Sequence, residues 1–68
     1  MKTVQVNGTP RILASDVNTV ADLLRALELA GKRIAIERNG DIVPRSRYAD
    51  IRVEEGDRLE IVGAVGGG

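Results

Sequence analysis

Apolar and polar positions alternate with period two at the start of the chain. Thr3-Val4-Gln5-Val6 reads as a half-buried strand. Asn7-Gly8 follows, and both residues accept the positive φ of a type I′ hairpin turn. Thr9-Pro10 lengthens that turn, and Arg11 to Ala14 returns as the second strand. Pro10 cannot donate to a ladder, so it belongs at a strand start or on an edge. After the polar connection Ser15 to Asn18 the period changes. Val20, Leu23, Leu24 and Leu27 fall at i, i+3, i+4 and i+7, one apolar stripe of a helix over about 20 to 30. Thr19 is its N-cap, with Asp22 three residues on in the capping-box position. Gly31 is the expected residue just past its C-terminus, with Lys32 and Arg33 beyond.

Arg33 to Arg38 predicts a third strand. Asn39-Gly40 is again a type I′ pair, and Asp41-Ile42-Val43 returns as a short strand that Pro44 ends. Arg45 to Asp50 has room for one turn of helix, with Tyr48 turned onto the core. Ile51-Arg52-Val53 is a short extended piece and Glu54 to Asp57 a turn. Arg58 to Val62 is the last strand, with Leu59 and Ile61 on one face and Arg58, Glu60 and Val62 on the other. The order ββαββ with a final β is an α+β plan: a mixed sheet of four to five strands with one helix packed across one face. A parallel pairing of the last strand with the first makes it a β-grasp. Residues 1–62 form the domain, and 63–68, Gly63-Ala64-Val65-Gly66-Gly67-Gly68, form a flexible C-terminal tail.

Composition narrows the chemistry. The 68 residues make one domain, which buries only roughly 60% of its unfolded surface. With 0 Cys and 0 His there is no thiol nucleophile, Ser-His dyad, disulfide or zinc site of the usual kind, and no metal site is expected. Ten basic residues balance 10 acidic ones, and Tyr48 is the sole aromatic. Neither an electrostatic footprint for nucleic acid nor a base-stacking platform is present. No apolar run approaches a membrane span, and Met1-Lys2 leads directly into a strand pattern. The expectation is a soluble, cytoplasmic protein that is not itself an enzyme.

The remaining chemistry is the carboxylate of Gly68. Ionised at neutral pH, it is a poor electrophile until activated, for example as an acyl-adenylate formed with ATP and Mg²⁺. The chain has no phosphate-binding loop, so that machinery belongs to a partner and no cofactor is bound here. Gly66 and Gly67 suit passage through a narrow channel, since residues without Cβ need less room and accept more φ values. Extended, residues 63 to 68 reach about 20 Å, at roughly 3.3–3.6 Å each. Ordering them costs about 1–2 kcal/mol per residue, which docking of the folded body has to offset. Val62 and Val65, at the tail base, are candidate contacts for a partner, and so is Arg58. Arg45, Arg47, Arg52 and Arg58 either form a basic face near the tail or are a solvated surface interleaved with Glu54, Glu55, Asp57 and Glu60. Three glycines alone are a weak signal, because a frayed end reads the same way. Their place directly after a β-grasp pattern strengthens them.

Several segments carry a resemblance. They are Val6-Asn7-Gly8, Thr19 to Leu24, Ala35 to Arg45 with its Asn-Gly-Asp-Ile-Val-Pro-Arg run, Gly56 to Val62, and the Gly-Gly end. Together they span nearly the whole chain and resemble the ThiS group of ubiquitin-like β-grasp sulfur carriers in thiazole formation for thiamine. The resemblance implies that an E1-like enzyme adenylates Gly68, that a cysteine persulfide supplies sulfur to give a thiocarboxylate, and that thiazole synthase takes that sulfur. It implies Gly67 and Gly68 as the essential pair, with Gly66 adding reach, and a carrier that is monomeric when free. A molybdopterin-synthase-type small subunit, a Gly-Gly protein modifier and an interaction domain with an inert tail are the alternatives.

Overall fold

Two asparagine-glycine turns set the sheet. A computed structural model describes residues 1–63. Strand β1 (Lys2–Val6) and strand β2 (Thr9–Leu13) pair antiparallel, with Val6 opposite Thr9. Asn7 at φ 52 and Gly8 at φ 83 make the I′ turn between them. Thr9 and Pro10 therefore lie in the strand and not in a longer turn. Pro10 sits opposite Gln5, and its missing N–H is tolerated because β2 is an edge of the sheet.

Helix α1 (Val20–Ala26) starts where the sequence predicts. Asp22 N–H donates to Thr19 Oγ1 at 3.1 Å, and Thr19 N–H donates back to Asp22 Oδ2 at 3.1 Å, closing the capping box. Its end is earlier than the predicted 30. Leu27 is the C-cap, and Glu28 takes the left-handed conformation at φ 62. Glu28 N–H donates to Arg25 O at 3.0 Å and Leu29 N–H to Leu24 O at 2.7 Å, which is a Schellman closure. Gly31, at φ 81, instead bends the following loop toward β3.

Strand β3 (Ile34–Arg38) and strand β4 (Asp41–Ile42) flank the second I′ turn, with Asn39 at φ 53 and Gly40 at φ 90. Pro44 leads into a single 3₁₀ turn at Arg45–Arg47, and half-buried Tyr48 packs against the core. Strand β5 (Arg58–Gly63) runs one residue beyond the predicted end. The sheet order is β2-β1-β5-β3-β4, with β5 parallel to β1 and antiparallel to β3. The expected parallel pairing of first and last strands is thus present. Five strands with one helix make a mixed α+β sheet, the β-grasp plan.

Val4, Val6, Leu13, Val20, Leu23, Leu24, Ile36 and Leu59 form the core between helix and sheet. Val17, Val43 and Val53 complete it. Val17 and Val53 come from segments without periodicity. They are brought in where Val53 N–H donates to Asn18 O at 2.9 Å and Val20 N–H to Ile51 O at 2.9 Å.

Candidate functional site

The candidate site is the end of β5, the strand that leads to the glycines. Side chains from both I′ turns hold that strand. Asn7 Nδ2 donates to Ile61 O at 3.0 Å while Ile61 N–H donates to Asn7 Oδ1 at 2.7 Å. The amide thus does for Ile61 what a neighbouring strand residue would, beyond the last β1–β5 backbone pair at Val6 and Leu59. At the other end, Arg58 N–H donates to Asn39 Oδ1 at 2.9 Å, and Asn39 N–H to Arg58 O at 2.8 Å.

An ion pair between half-buried Arg38 and buried Asp57 fixes the residue before β5. Asp57 is 5% exposed. Arg38 Nε donates to its Oδ2 at 2.7 Å, Glu54 N–H to the same oxygen at 2.7 Å, and Asn39 Nδ2 to Oδ1 at 3.1 Å. Burial pushes the Asp57 carboxyl up. The hydrogen bonds from Glu54, Arg38 and Asn39, with the Arg38 charge, outweigh it and leave the group below its ordinary value. Sequence reading placed Asp57 among solvated surface acids. Its partner Arg38 lies 19 residues away, a pairing that only the β3–β5 contact creates.

At the tail end, Ile34 stands opposite Gly63 and Ala35 opposite Val62. Val62 is 63% exposed on the face away from the helix, as its place in the alternation predicts. It lines a groove of about 350 Å³ with Arg33, Ile34, Ala35, Arg45 and Gly63. Arg45 arrives there because Val43 N–H donates to Ile36 O at 2.9 Å, carrying the chain past β4 along β3. On the helix side of Gly63 a second groove, of about 550 Å³, is lined by Val6, Ala26, Leu27, Leu29, Ile34 and Ile61 among others.

Of the two readings of Arg45, Arg47, Arg52 and Arg58, the structure does not give a shared basic face, because the four are not brought together. Arg58 shares the outward face with Val62 but begins β5. It stands four residues from Val62, about 13 Å along the strand at roughly 3.3 Å per residue. It is therefore not a tail-base residue, because the tail leaves from the strand's other end. Arg52 bridges to Thr19 at the start of the helix, and Arg47 Nε lies 3.4 Å from Asp50 Oδ2. Arg45 is at the tail base. Its companion is Arg33, which the sequence showed only as a basic residue past the helix end and the first residue of a strand. The antiparallel pairing of β3 with β5 would have located it. The expectations for Val65, Gly66, Gly67 and Gly68, and for a flexible tail, lie outside the described residues. No described helix is long and apolar enough to cross a membrane.

Comparison with known proteins places this geometry. The model of the ThiS family matches residues 4–68. The chain is 37% identical over 65 residues to the sulfur carrier protein ThiS of Bacillus subtilis (strain 168), covering 96% of this chain and 98% of that one. It is 46% identical over 63 residues to a thiazole synthase of Paramagnetospirillum magneticum, with 93% of this chain covered. There it spans only 19% of the relative's length. A crystal structure of the thiamine biosynthesis protein ThiS from Geobacter metallireducens matches with a TM-score of 0.81 at 31% identity, covering 97% of this chain and 99% of that one. The fold is the ubiquitin-like β-grasp, and the chain belongs to the ThiS family.

Proposed function

We propose that this protein is a sulfur carrier for thiazole formation in thiamine biosynthesis, working through the carboxylate of Gly68. The observation that carries the reading is the family match, which runs to residue 68 and so includes the Gly-Gly end. Near full-length correspondence with a named sulfur carrier supports it, as does similarity to part of a thiazole synthase.

In the proposed cycle a carboxylate oxygen of Gly68 attacks the α-phosphorus of ATP on an E1-like enzyme that holds Mg²⁺. Pyrophosphate leaves and an acyl-adenylate remains. The terminal sulfur of a cysteine persulfide attacks the activated carbonyl and expels AMP, forming an acyl disulfide. A second thiol reduces that disulfide, releasing the thiocarboxylate and becoming oxidised to a disulfide itself. Thiazole synthase then draws sulfur from the thiocarboxylate. The carrier acts as a co-substrate in the cytoplasm, monomeric when free, and contributes no catalytic side chain. Its work is positional: the Asn7 and Asn39 side chains hold β5 at Ile61 and at Arg58, which fixes the strand that leads to residue 63.

Deleting Gly68 tests this. With the adenylating enzyme, ATP and Mg²⁺, the wild-type chain releases pyrophosphate and the truncated chain does not, while both melt at the same temperature. Equal release from both would end the reading. Intact mass after exposure to the adenylating enzyme, ATP, Mg²⁺, a persulfide donor and a reducing thiol should show one oxygen replaced by sulfur in the full chain alone.

A further inference from the structure

A small cavity lies between helix α1, the loop after it and the 3₁₀ turn. Ala21, Leu24, Leu29, Ala30 and Tyr48 line it, an apolar set drawn from all three segments. Two left-handed residues make the loop wall. Glu28 at φ 62 and Gly31 at φ 81 take the chain off the helix, so that residues 29–32 line the cavity instead. Strained backbone of the Glu28 kind clusters at ligand sites. Ala21 N–H donates to Tyr48 O at 2.9 Å and ties the helix to the opposite wall. The volume is about 190 Å³, below the roughly 300–1,000 Å³ of small-molecule sites and suited to one bulky side chain. Arg25, Lys32 and Arg45 complete the lining, with no acidic residue among them. Arg25 is bonded to Asp22, whereas among the described residues Lys32 and Arg45 make no ion pair. The carboxyl end of a helix attracts cations, which accounts for Arg25 and Lys32. It does not account for Arg45, which the 3₁₀ turn supplies.

We propose that this cavity seats a segment of a partner protein in which one bulky apolar side chain is flanked by carboxylates. The apolar group rests on Leu24, Leu29 and Tyr48, and the acids face Lys32 and Arg45. The cations supply orientation and encounter rate, the usual contribution of charge at the rim of a contact. Neither Val62 nor Gly63 lines the cavity, so a segment held here does not occupy the last rung of β5. The segment binds by its side chains and not by adding a strand. Gln5 N–H donates to Asp57 O at 2.9 Å, away from β2, so its partner Pro10 faces the open edge of β2 with no N–H to offer. A nucleotide is disfavoured as the occupant, because no side-chain amide or carboxylate lines the cavity to read a base edge.

The probe is the peptide acetyl-Asp-Glu-Phe-Asp-Glu-amide, titrated into the full isotope-labelled chain and followed by amide chemical shifts. The shifts should saturate and centre on Ala21, Leu24, Leu29, Ala30 and Tyr48, with Gly63 moving least. Replacing the phenylalanine of the peptide by alanine should weaken binding about tenfold or more. Lys32→Glu and Arg45→Glu should each weaken it about threefold or more, and Arg58→Glu by less than about twofold. Ala21→Met, which fills the seat, should abolish saturation with both cations still in place. Absence of saturation in the wild-type chain, or equal affinity for the phenylalanine and alanine peptides, overturns the seat. So does an equal loss in Arg58→Glu. AMP moving the same amides where the peptide does not marks a small-anion site and overturns it too. Melting curves matching wild type show that the substitutions leave the fold intact. Where Ala21→Met fails to fold, the alanine peptide decides, since it leaves this chain unaltered. None of these readouts depends on pyrophosphate release, so the outcome stands whether or not the carrier reading does.

Discussion

The side-chain amide of Asn7 pairs with both backbone groups of Ile61, donating to its carbonyl at 3.0 Å and accepting from its N–H at 2.7 Å. A turn residue thereby extends a parallel ladder by one rung, two residues before β5 ends. The same residue must hold φ at 52, a conformation that asparagine accepts more readily than most side chains.

Asn7→Ala should lose both hydrogen bonds, at about 0.5–1.5 kcal/mol each, and add about 1 kcal/mol of left-handed strain. Asn7→Gly should lose the bonds without the strain and be the milder change. Hydrogen exchange at the Ile61 amide should accelerate in both variants, and thermal melts should rank them. An Ile61 amide as protected as in wild type would show that the pairing does not hold the strand.

Stability should fall in acid through Asp57. Its carboxyl lies below the ordinary 3.8 in the folded state, so the unfolded chain takes up the proton first as pH drops. The unfolded state then binds more protons, and stability declines as pH falls through that range toward the folded-state value. Above the ordinary value the contribution is complete. Asp22 adds to the same limb, because the Asn18 and Thr19 N–H groups hold its carboxyl low. Asp57→Asn should cost about 2–3 kcal/mol near neutral pH by leaving Arg38 without its partner. It should also flatten the acid limb of a melting-temperature profile. An acid limb as steep as wild type would remove Asp57 as its cause.

Glu28 ends the helix in a conformation that suits glycine, and its negative charge sits at the negative end of the helix dipole. Glu28→Gly should stabilise the domain by about 1 kcal/mol, the relief of left-handed strain less the entropy glycine adds to the unfolded chain. Glu28→Ala removes the charge but keeps the strain, so it should gain less. Calorimetry on the three proteins separates the two effects. A lower melting temperature for the glycine variant would show that the Glu28 side chain holds the closure by a contact of its own.

Local chemistry was legible in the sequence, and long-range pairing was not. Asn7-Gly8, Asn39-Gly40 and Thr19 with Asp22 each specify a turn or cap within four residues, and all three form as read. The β5 alternation placed Val62 outward and Leu59 inward. The helix end was misplaced because Gly31 is the stronger stop signal. The apolar contact of Leu29 and its hydrogen bond to Leu24 close the helix earlier, at the expense of strain in Glu28. Asp57 looked solvated because its partner Arg38 becomes a neighbour only when β3 and β5 pair. The basic-face alternative put Arg58 near the tail by proximity in sequence. A strand separates its two ends by its full length, and the residue that does stand beside Gly63 comes from the strand running the other way.

Because Gly63 is still paired with Ile34, the last rung of the sheet doubles as the zero mark of a ruler. Residues 64–68 span a contour of about 17 Å at roughly 3.3–3.6 Å per residue. If Gly68 is engaged as proposed, the centre that engages it must lie no deeper than that below the surface on which the domain rests, and one fixed depth would have to serve each partner in the proposed cycle.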